Sequence, residues 1–455
     1  MQKVHFIAIG GAAMHNLAIA ISRKNSFLVT GSDDEIFEPS YSRLKQYKLL
    51  PDQLGWFPDR IHKGLSAVIV GMHAAEDNPE LVRARKLGLK IFSYPEYLFQ
   101  QTRSKTRIVV AGSHGKTTTT AMIMHVLKQL RMDADYMVGA HIDGFDAMVK
   151  LSYEARIAVF EGDEYLTSPL DKRPKFHHYK PHIAVITGIS WDHINVFPTF
   201  KNYADQFRQF IELMEVQGRL IYFDGDEALN DMSEKLRRDI VAFPYNTPAY
   251  EVRDGVTYLK TKRGEVALQI FGEHNMQNIE AARLACRQIG VTDDQFYSVI
   301  GGFKGAYNRL QRICEKPGCV AFTDFAHSPS KLRATLNAVK KQFPERRLVA
   351  CMELHTYSSL NEDFLPQYAG SMEQADVALV YYDPAVVTAK NLKQLQPEVV
   401  RKAFGGNNIT VFTDIQQLEM HLKKLEKKDS ALVFMSSGNF SGLDTKALAK
   451  ELLGL

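Results

Sequence analysis

RIVVAGSHGKTTTTAMIMHVLKQL, residues 107–130, is the stretch that decides the fold of this chain. An apolar run at 108–111 predicts a buried strand, 112–115 predicts a tight turn, and apolar residues recur at helical spacing from Met122 to Leu130. A strand, a glycine turn and then Lys-Thr at a helix start can hold phosphate, because backbone N–H groups, the helix dipole and a lysine charge face the anion. The stretch therefore predicts a nucleotide phosphate site, although its two glycines enclose two residues where the common form has four.

The length and composition are those of an ordinary globular chain. Its 455 residues suffice for about three domains, and 45% hydrophobic and 24% charged residues are typical values. A net charge of +4, with acids and bases interspersed, gives no strong case for a nucleic-acid partner. No apolar run approaches the roughly 20 residues of a membrane span. The N-terminus predicts a first strand and no signal peptide, and four cysteines without a CxxC pair indicate free thiols, so we expect a cytoplasmic protein without a membrane partner.

Residues 1–105 open like a dinucleotide-binding fold. A strand at 4–9 leads into Gly10-Gly11 and an amphipathic helix, and a second strand ends at Gly31-Ser32-Asp33. An acid about twenty residues past the glycines is where a ribose hydroxyl could be bound. The GxGxxG pattern itself is absent, however, because alanines follow the two glycines. A nicotinamide-dependent dehydrogenase is therefore an alternative, but it leaves the Lys-Thr of the phosphate loop unexplained.

The block at 106–313 brings acids to the phosphate loop. Two further apolar strands end in polar clusters, with Glu161, Asp163 and Glu164 after one and Asp192 and His193 after the other. In a parallel sheet these strand ends share an edge with Lys116 and Thr117. Carboxylates beside a phosphate suit Mg²⁺, which the hydroxyl of Thr117 can also bind, and a histidine can join directly or through water. For Asp163 a solvated acid at a strand end remains the alternative.

The rest of the chain continues the α/β alternation. Residues 215–270 are expected to form a β-rich insert, and Asn275 lies near the start of the helix that follows. From 314 onward five apolar strands alternate with helices. The first of them ends at Asp324 and His327, and the last ends at SSGNFSG, residues 436–442. The basic connector that precedes this block carries Arg309.

Seven motifs in this order resemble the Mur ligases, ATP-dependent enzymes that add amino acids or peptides to UDP-N-acetylmuramate. They are AIGGAAM, GSHGKTTTT, EGDE, DH, GEHNMQN, FKGAYNRL and DFAHSP, and they span the chain. The resemblance implies an α/β protein of three domains. These are a Rossmann-like UDP-sugar-binding domain at 1–105, a central P-loop ATPase domain with a parallel sheet at 106–313, and a Rossmann-like domain at 314–455 that binds the amino acid or peptide.

The resemblance also implies roles for individual residues, with ATP and Mg²⁺ as cofactors. The UDP-sugar site would include Gly11, Met14, Ser32, Asp33 and His73. The ATP site would include Gly112, Ser113, His114, Gly115, Lys116, Thr117, Thr118, Asn275, Arg309, Asp324 and His327. The metal ligands would be Thr117, Glu161 and His193, and the catalytic set would be Lys116, Glu161 and His193. We expect a monomer or a weak homodimer.

The acceptor substrate is the open point of this resemblance. Members that add later residues carry a carbamoylated lysine where this chain has Gln206 and Phe207, which favours members that act on UDP-N-acetylmuramate itself. Two acceptors then remain, L-alanine and the tripeptide L-alanyl-γ-D-glutamyl-meso-diaminopimelate. Residues 161–181 and 434–442 resemble the tripeptide branch, which serves peptidoglycan recycling, whereas ELHTYSSLNEDF lacks the arginines of the alanine branch without matching the other. The sequence therefore favours the tripeptide, with L-alanine as the alternative.

A rival of another class is a non-catalytic sensor that binds nucleotide or UDP-sugar through the same fold. Lys116, Thr117, Glu161 and His193 argue against it, because a protein that only binds a ligand does not need the metal ligands of a phosphoryl-transfer site.

Overall fold

The computed structural model describes residues 1–140, 142, 144–145, 147–168, 171–191, 196–405 and 408–455. The chain divides into two compact units. The first comprises Met1–Ile189, Phe200–Asn246 and Ala281–Phe296, and the second comprises Ser190–Thr199, Thr247–Glu280 and Tyr297–Leu455.

The first unit begins with a four-stranded parallel sheet. Its strands are β1 (Gln2–Ile7), β2 (Phe27–Ser32), β3 (Ala67–Val70) and β4 (Ile91–Ser93), in the order β2-β1-β3-β4. Its helices are α1 (Ala12–Ser22), α2 (Ser40–Gln46), α3 (Pro79–Lys86) and α4 (Tyr94–Thr102). The first strand ends at Ile7, two residues earlier than predicted, because Ala8 has a left-handed backbone conformation with φ of 63°. The N–H groups of Ala8 and Ile9 then both donate to the carbonyl of Ser32, which ties the end of β1 to the end of β2.

The same unit contains a seven-stranded sheet with the phosphate loop near its centre. Its strands are β5 (Thr106–Ala111), β6 (Ala134–Met137), β7 (Val149–Lys150), β8 (Ile157–Glu161), β9 (Ile183–Ile186), β10 (Arg219–Phe223) and β11 (Val241–Tyr245). Its helices are α5 (Lys116–Gln129), α6 (Phe200–Glu212) and α7 (Glu227–Ser233). The order is β11-β10-β9-β5-β8-β6-β7, parallel except for the antiparallel pair of β6 and β7.

The predicted insert at 215–270 is not one structural element. Its first strand, β10, pairs in parallel with β9 and extends the central sheet, and Leu220 and Ile221 are fully buried there. A continuous apolar run is typical of a parallel strand that is covered on both faces. Only the later part forms a separate antiparallel sheet, in the second unit, from β12 (Tyr250–Arg253), β13 (Val256–Thr261) and β14 (Gly264–Leu268).

The second unit also contains a six-stranded sheet. Its strands are β15 (Gln311–Lys316), β16 (Cys319–Asp324), β17 (Arg347–Glu353), β18 (Val377–Tyr381), β19 (Ile409–Phe412) and β20 (Ser430–Met435), in the order β15-β16-β20-β17-β18-β19. All neighbours are parallel except β15 and β16. The remaining helices are α8 (Glu273–Arg287), α9 (Asp293–Ile300), α10 (Pro329–Gln342), α11 (Pro384–Ala389), α12 (Pro397–Phe404), α13 (Ile415–Lys424) and α14 (Thr445–Leu453).

Alternation along the strands of this sheet divides its core into two apolar layers. Val320 and Phe322 of β16 pack in one cluster, and Cys319 and Ala321 pack in the other. Because successive side chains of a strand point to opposite faces, both faces of the sheet are covered. The predicted α/β fold with parallel-sheet domains is confirmed, while the boundaries after residues 105 and 313 stay predictions. Among the described residues, no helix combines the length and the apolar character needed to cross a membrane.

Candidate active site

The phosphate loop has the predicted strand–turn–helix form. Strand β5 ends at Ala111, and α5 begins at Lys116. Gly112 and Gly115 both have positive φ, 125° and 77°, which L-residues with a side chain rarely adopt. A Cβ at Gly112 would also collide with Thr187, so glycine is required there for packing as well as for the turn. The N-terminus of α5 is thereby held at the carboxyl end of the central strand, where an anion is stabilised.

Lys116 is charged and already paired. Its Nζ donates to the carbonyl of Gly112 at 2.6 Å and to the two carboxylate oxygens of Glu164 at 2.7 and 3.0 Å. Burial alone would lower the pKa of Lys116, but the negative charges of Glu164 and Asp163 hold that pKa above its usual value. The lysine therefore offers a full positive charge beside the turn.

Thr117 and Glu161 bring two hard oxygen ligands together. Thr117 Oγ1 donates to Glu161 Oε1 at 2.8 Å, and the N–H of Gly139 donates to Glu161 Oε2 at 2.7 Å. Strands β5 and β8 are parallel neighbours with Val110 opposite Glu161, which explains this proximity. Adjacent ligands of an octahedral Mg²⁺ at about 2.1 Å lie about 3 Å apart, so the hydroxyl and carboxylate oxygens fit one such ion.

The other predicted acids of this edge differ in what they contact. Asp163 Oδ2 accepts from Lys175 Nζ at 2.6 Å. Burial alone would raise the pKa of Asp163, but Lys175 and then Lys116 lower it to about 2. Asp163 is thus the partner of Lys175 rather than a solvated acid, and whether it binds a metal stays a prediction. Asp192 and His193 lie outside the described residues.

Two further side chains reach the phosphate loop. Glu164 was predicted as one of the acids beside the loop that could suit Mg²⁺, whereas Tyr203 was not singled out from the sequence. Tyr203 of α6 donates to Glu164 Oε1 at 3.1 Å, and its hydroxyl lies 2.9 Å from Ser113 Oγ. Both side chains are essentially inaccessible to solvent. The acid follows directly from the EGDE motif, but nothing in the sequence near Tyr203 indicates a contact 90 residues away.

The predicted UDP-sugar residues cluster at the carboxyl edge of the first sheet, with one exception. Gly11 precedes α1, Ser32 ends β2, and His73 is exposed just after β3. Asp33 Oδ2 accepts from the N–H of Gly10 at 2.6 Å, and desolvation raises the pKa of Asp33 to about 6. Met14, in contrast, is a core residue of α1.

A buried acid–histidine pair lies directly beneath this edge. Glu80 Oε2 is 3.2 Å from His5 Nε2, Glu80 Oε1 accepts from the N–H of Phe57 at 2.7 Å, and neither Glu80 nor His5 is exposed. Burial alone would raise the pKa of Glu80, but these hydrogen bonds lower it. Ser32 Oγ also lies 3.4 Å from His5 Nε2, so the pair supports a predicted binding residue from below. A histidine inside the apolar first strand was the available sign, and sequence reasoning missed it.

The second unit holds four further predicted ATP residues. Asp324 ends β16 and accepts from Thr335, and His327 Nδ1 lies 2.8 Å from the carbonyl of Phe325. The guanidinium of Arg309 lies 4.3 Å from the centre of the Phe325 ring. Asn275, at the start of α8, is buried and donates to the carbonyl of Phe271 at 2.8 Å. Asp324, His327 and Arg309 thus share one surface at the end of β16.

Two serines beside the end of β16 have buried hydroxyls without a hydrogen-bond partner among the described residues. Ser328 is the N-cap of α10 and does not cap it with its side chain, and Ser437 follows β20. Because β16 and β20 are parallel neighbours with Asp324 opposite Met435, both serines lie at one sheet edge. Unpaired buried hydroxyls are uncommon and call for an explanation. Neither serine was singled out by itself from the sequence.

A second acid, after Asp324, lies at the same edge of this sheet. Glu353 ends β17, accepts from Ser436 and from the N–H of Phe440 at 2.8 Å, and lies 3.6 Å from His355 Nδ1. These contacts lower its pKa, although burial alone would raise it. Phe440 and Ser441 both have positive φ, 51° and 49°, so the SSGNFSG loop is held in a rare conformation over the strand ends.

Comparisons with known proteins match most of the chain. Sequence profiles of the Mur ligase middle domain and of the Mur ligase glutamate ligase domain match residues 110–286 and 308–438. The UDP-N-acetylmuramate–L-alanine ligase of Sulfurihydrogenibium sp. (strain YO3AOP1) is 27% identical over 99% of this chain and 98% of its own length. The enzyme of the same name from Limosilactobacillus reuteri (strain DSM 20016) is 29% identical, with the same coverage.

Solved structures repeat the fold. The murein peptide ligase of Psychrobacter arcticus 273-4 has a TM-score of 0.65 at 24% identity and covers 100% of this chain and 98% of its own. The UDP-N-acetylmuramate–alanine ligase of Thermotoga maritima has a TM-score of 0.71 at 21% identity and covers 100% and 99%. At these identities the likeness concerns the fold alone, and the preference for a tripeptide acceptor is not confirmed. The two consecutive domain profiles, matched in the predicted order around the phosphate loop, show that the chain belongs to the Mur ligase family, whose members are ATP-dependent, amide-forming ligases.

Proposed function

We propose that this chain joins the lactyl carboxylate of UDP-N-acetylmuramate to the amine of L-alanine at the expense of ATP. The observation that carries the activation half is that Lys116, Thr117 and Glu161 lie at one sheet edge, where Lys116 Nζ donates to the carbonyl of Gly112 and Thr117 Oγ1 donates to Glu161 Oε1. The full-length likeness to several L-alanine ligases supports the acceptor. Both acceptors that the sequence left open present the amine of an L-alanyl residue, so they share the same chemistry of attack.

The reaction has two steps. The lactyl carboxylate attacks the γ-phosphorus of ATP, which gives an acyl phosphate and ADP. The amine then attacks the acyl carbon, and the tetrahedral adduct expels phosphate. Such catalysis consists mainly of positioning and of charge neutralisation. Lys116 would neutralise the phosphoryl oxygens, and the amides at the start of α5 would orient them.

Thr117 and Glu161 would hold Mg²⁺, which supplies charge neutralisation between phosphate oxygens. The 2.8 Å separation of their oxygens supports this assignment. His193 is proposed as a further ligand from the resemblance alone. Asn275, Arg309, Asp324 and His327 are proposed as ATP-binding residues from the resemblance alone.

Gly11, Ser32, Asp33 and His73 are proposed to bind the UDP-sugar. Their position at one edge of the first sheet supports this, since ligands of parallel sheets bind at the carboxyl ends of the strands. Met14, also proposed from the resemblance, is buried and would act by shaping α1.

The hydroxyls of Ser328 and Ser437 are proposed to bind the carboxylate of the acceptor. Both lack a partner among the described residues and lie at the same sheet edge, and Ser328 is the N-cap of α10, where the helix dipole favours an anion. A free amino acid carries its carboxylate one carbon from the reacting amine, so a small polar site of this kind suits L-alanine.

The tripeptide L-alanyl-γ-D-glutamyl-meso-diaminopimelate is the second candidate. It is favoured by residues 165–175 and 436–442, which resemble the tripeptide branch, and by the absence of arginine from residues 353–364.

One assay separates the candidates. The protein receives ATP, Mg²⁺ and UDP-N-acetylmuramate, with L-alanine and the tripeptide offered separately, and phosphate release and the amide product are measured. Product with L-alanine supports the proposal, product with the tripeptide alone selects the second candidate, and background phosphate release with both acceptors favours the sensor.

Lys116→Ala should abolish turnover, and near-native ADP release by this variant would contradict the role of the phosphate loop.

A further inference from the structure

The ammonium group proposed to hold the nucleotide phosphate already has an anionic partner inside the protein. Lys116 Nζ lies 2.7 and 3.0 Å from the two carboxylate oxygens of Glu164. The Glu164 side chain is 1% exposed and that of Lys116 is 14% exposed. Charges attract more strongly in such a site than at the surface, because little water screens them. A phosphate that approaches Lys116 therefore competes with Glu164.

The position of Glu164 is fixed from α6. Tyr203 donates to Glu164 Oε1, and its hydroxyl also lies within hydrogen-bond distance of Ser113 Oγ. A hydrogen-bonded chain thus runs from Ser113 through Tyr203 and Glu164 to Lys116, so it begins and ends on the phosphate loop. The lysine is held back over the carbonyl of Gly112 at 2.6 Å.

The neighbouring acid of the same motif has a different partner. Asp163 Oδ2 lies 2.6 Å from Lys175 Nζ, and no hydrogen bond between Asp163 and Lys116 occurs among the described residues. The two acids are adjacent in sequence and both are beside the loop, but only Glu164 contacts the phosphate-binding lysine. This difference provides a matched control.

We propose that Glu164 is an internal substitute for phosphate that holds Lys116 until nucleotide binds and then gives up the ammonium group to the phosphate oxygens. Glu164 is in this sense a positioning residue, and it sets the affinity for nucleotide by competition. The inference rests on the proposed function only in that Lys116 binds phosphate. A neutral residue of the same shape at position 164 should therefore make nucleotide binding tighter.

The test measures ADP binding to the full-length protein by calorimetry, with and without Mg²⁺. Glu164→Gln keeps the shape and an oxygen acceptor for Tyr203 but loses the charge. We expect its Kd for ADP to fall about tenfold and its KM for ATP to fall by a similar factor. A residue with a merely structural role would leave ADP binding unchanged or weaken it, and either result would overturn the proposal.

Two control variants isolate the competing charge. Asp163→Asn removes an equal charge from the adjacent position and should change the Kd for ADP less than threefold. An equal gain in affinity from Asp163→Asn would overturn the specific role of Glu164. Lys116→Ala separates this inference from the proposed function. If Lys116→Ala binds ADP as well as the wild type, the phosphate site itself is wrong, whereas a tenfold loss with no gain from Glu164→Gln refutes the competition alone.

A measurement on the wild-type protein covers the case in which Glu164→Gln does not fold. In a crystal structure with a non-hydrolysable ATP analogue, Lys116 Nζ should contact a phosphate oxygen and lie more than 4 Å from both oxygens of Glu164. Retention of the Lys116–Glu164 contact beside a bound phosphate would contradict the exchange.

Discussion

Thr117 Oγ1 donates a 2.8 Å hydrogen bond to Glu161 Oε1, although the two residues are 44 positions apart. This pair is a direct consequence of the sheet, because β5 and β8 are parallel neighbours that end at the same edge. Thr117 is the second residue of α5, and Glu161 is the last residue of β8. Two oxygens so placed can share one small cation with phosphate.

Loss of Glu161 should therefore raise the requirement for Mg²⁺. In Glu161→Ala we expect the Mg²⁺ concentration for half-maximal phosphate release to rise at least tenfold, since one of the few protein ligands is gone. Thr117→Ser retains the hydroxyl, so its Mg²⁺ concentration for half-maximal phosphate release should stay within about threefold of the wild-type value. In Thr117→Val this concentration should rise, as in Glu161→Ala. An unchanged Mg²⁺ titration in Glu161→Ala would remove this residue from the metal site.

Asp33 should make stability depend on pH in the sense opposite to most acids. Its folded pKa, about 6, lies above its usual value of 3.8, so the folded protein binds the proton more tightly than the unfolded chain. The free energy of unfolding should then decrease as pH rises from about 4 to 6. Between pH 5 and 7.5 the loss attributable to Asp33 is about 1 to 2 kcal/mol.

The matched variant is Asp33→Asn, which keeps an oxygen acceptor for the N–H of Gly10 and cannot titrate. Urea unfolding of the wild type and the variant at pH 5 and pH 7.5 gives the difference. We expect the variant to lose less stability than the wild type over this interval. Equal pH dependence in the two proteins would refute the raised pKa of Asp33.

The sequence predicted the parts of the site that depend on local chemistry or on a shared sheet edge. The phosphate loop was predictable because Gly112 and Gly115 need positive φ and the lysine follows at once. Glu161 was predictable because the ends of parallel strands meet. The segment that became β10 was expected to be part of a β-rich insert, but its place in the central sheet was not predicted, since strand pairing is a property of the whole fold and not of the segment.

The contacts that escaped prediction join residues far apart in the chain. Tyr203 reaches Ser113 across 90 positions, and His5 reaches Glu80 across 75. Each is a polar side chain in an amphipathic helix or a buried strand, where periodicity indicates burial but never the partner. The unpaired hydroxyls of Ser328 and Ser437 are also invisible in a sequence, because a missing partner is defined only by the surrounding structure.

Glu80 should affect the UDP-sugar without touching it. Its two oxygens hold His5 and the N–H of Phe57, and the His5 ring in turn lies beside Ser32. Glu80→Gln replaces a charged acceptor by an amide. The His5 ring should then be held less firmly, and so should the Ser32 side chain beside it. We expect the KM for UDP-N-acetylmuramate to rise about tenfold, with the KM for ATP changed less than twofold, and a stability loss of about 1 to 3 kcal/mol.

The control for this variant is Glu76→Gln, a nearby exposed acid that lies 3.7 Å from Arg85 at the surface. Exposed pairs contribute little, so this variant should match the wild type in both KM values and in stability. A rise of the two KM values by the same factor in Glu80→Gln would indicate general loosening of the first unit and would contradict a specific effect on the sugar nucleotide.

The hydroxyls of Ser328 and Ser437 should contribute to acceptor binding but not to the stability of the folded protein. Their hydroxyls have no hydrogen bond to lose within the described residues, so Ser328→Ala and Ser437→Ala should leave the melting temperature unchanged or raise it slightly. Each variant should nevertheless raise the KM for the acceptor, because a hydrogen bond to a carboxylate contributes roughly 1.5 to 3 kcal/mol, or about 10- to 150-fold. The KM values for ATP and UDP-N-acetylmuramate should stay within about twofold.

Ser371→Ala provides the matched control for these two serines. Ser371 lies in the same unit and is buried, with a hydroxyl that also lacks a partner among the described residues, but it is not at the strand ends. It should leave all three KM values unchanged. Steady-state kinetics with the acceptor concentration varied distinguishes the two cases. Loss of a hydroxyl that binds the acceptor raises the acceptor KM, whereas loss of an unpaired hydroxyl that binds no ligand does not. If Ser328→Ala and Ser437→Ala behave like Ser371→Ala, the acceptor carboxylate binds elsewhere.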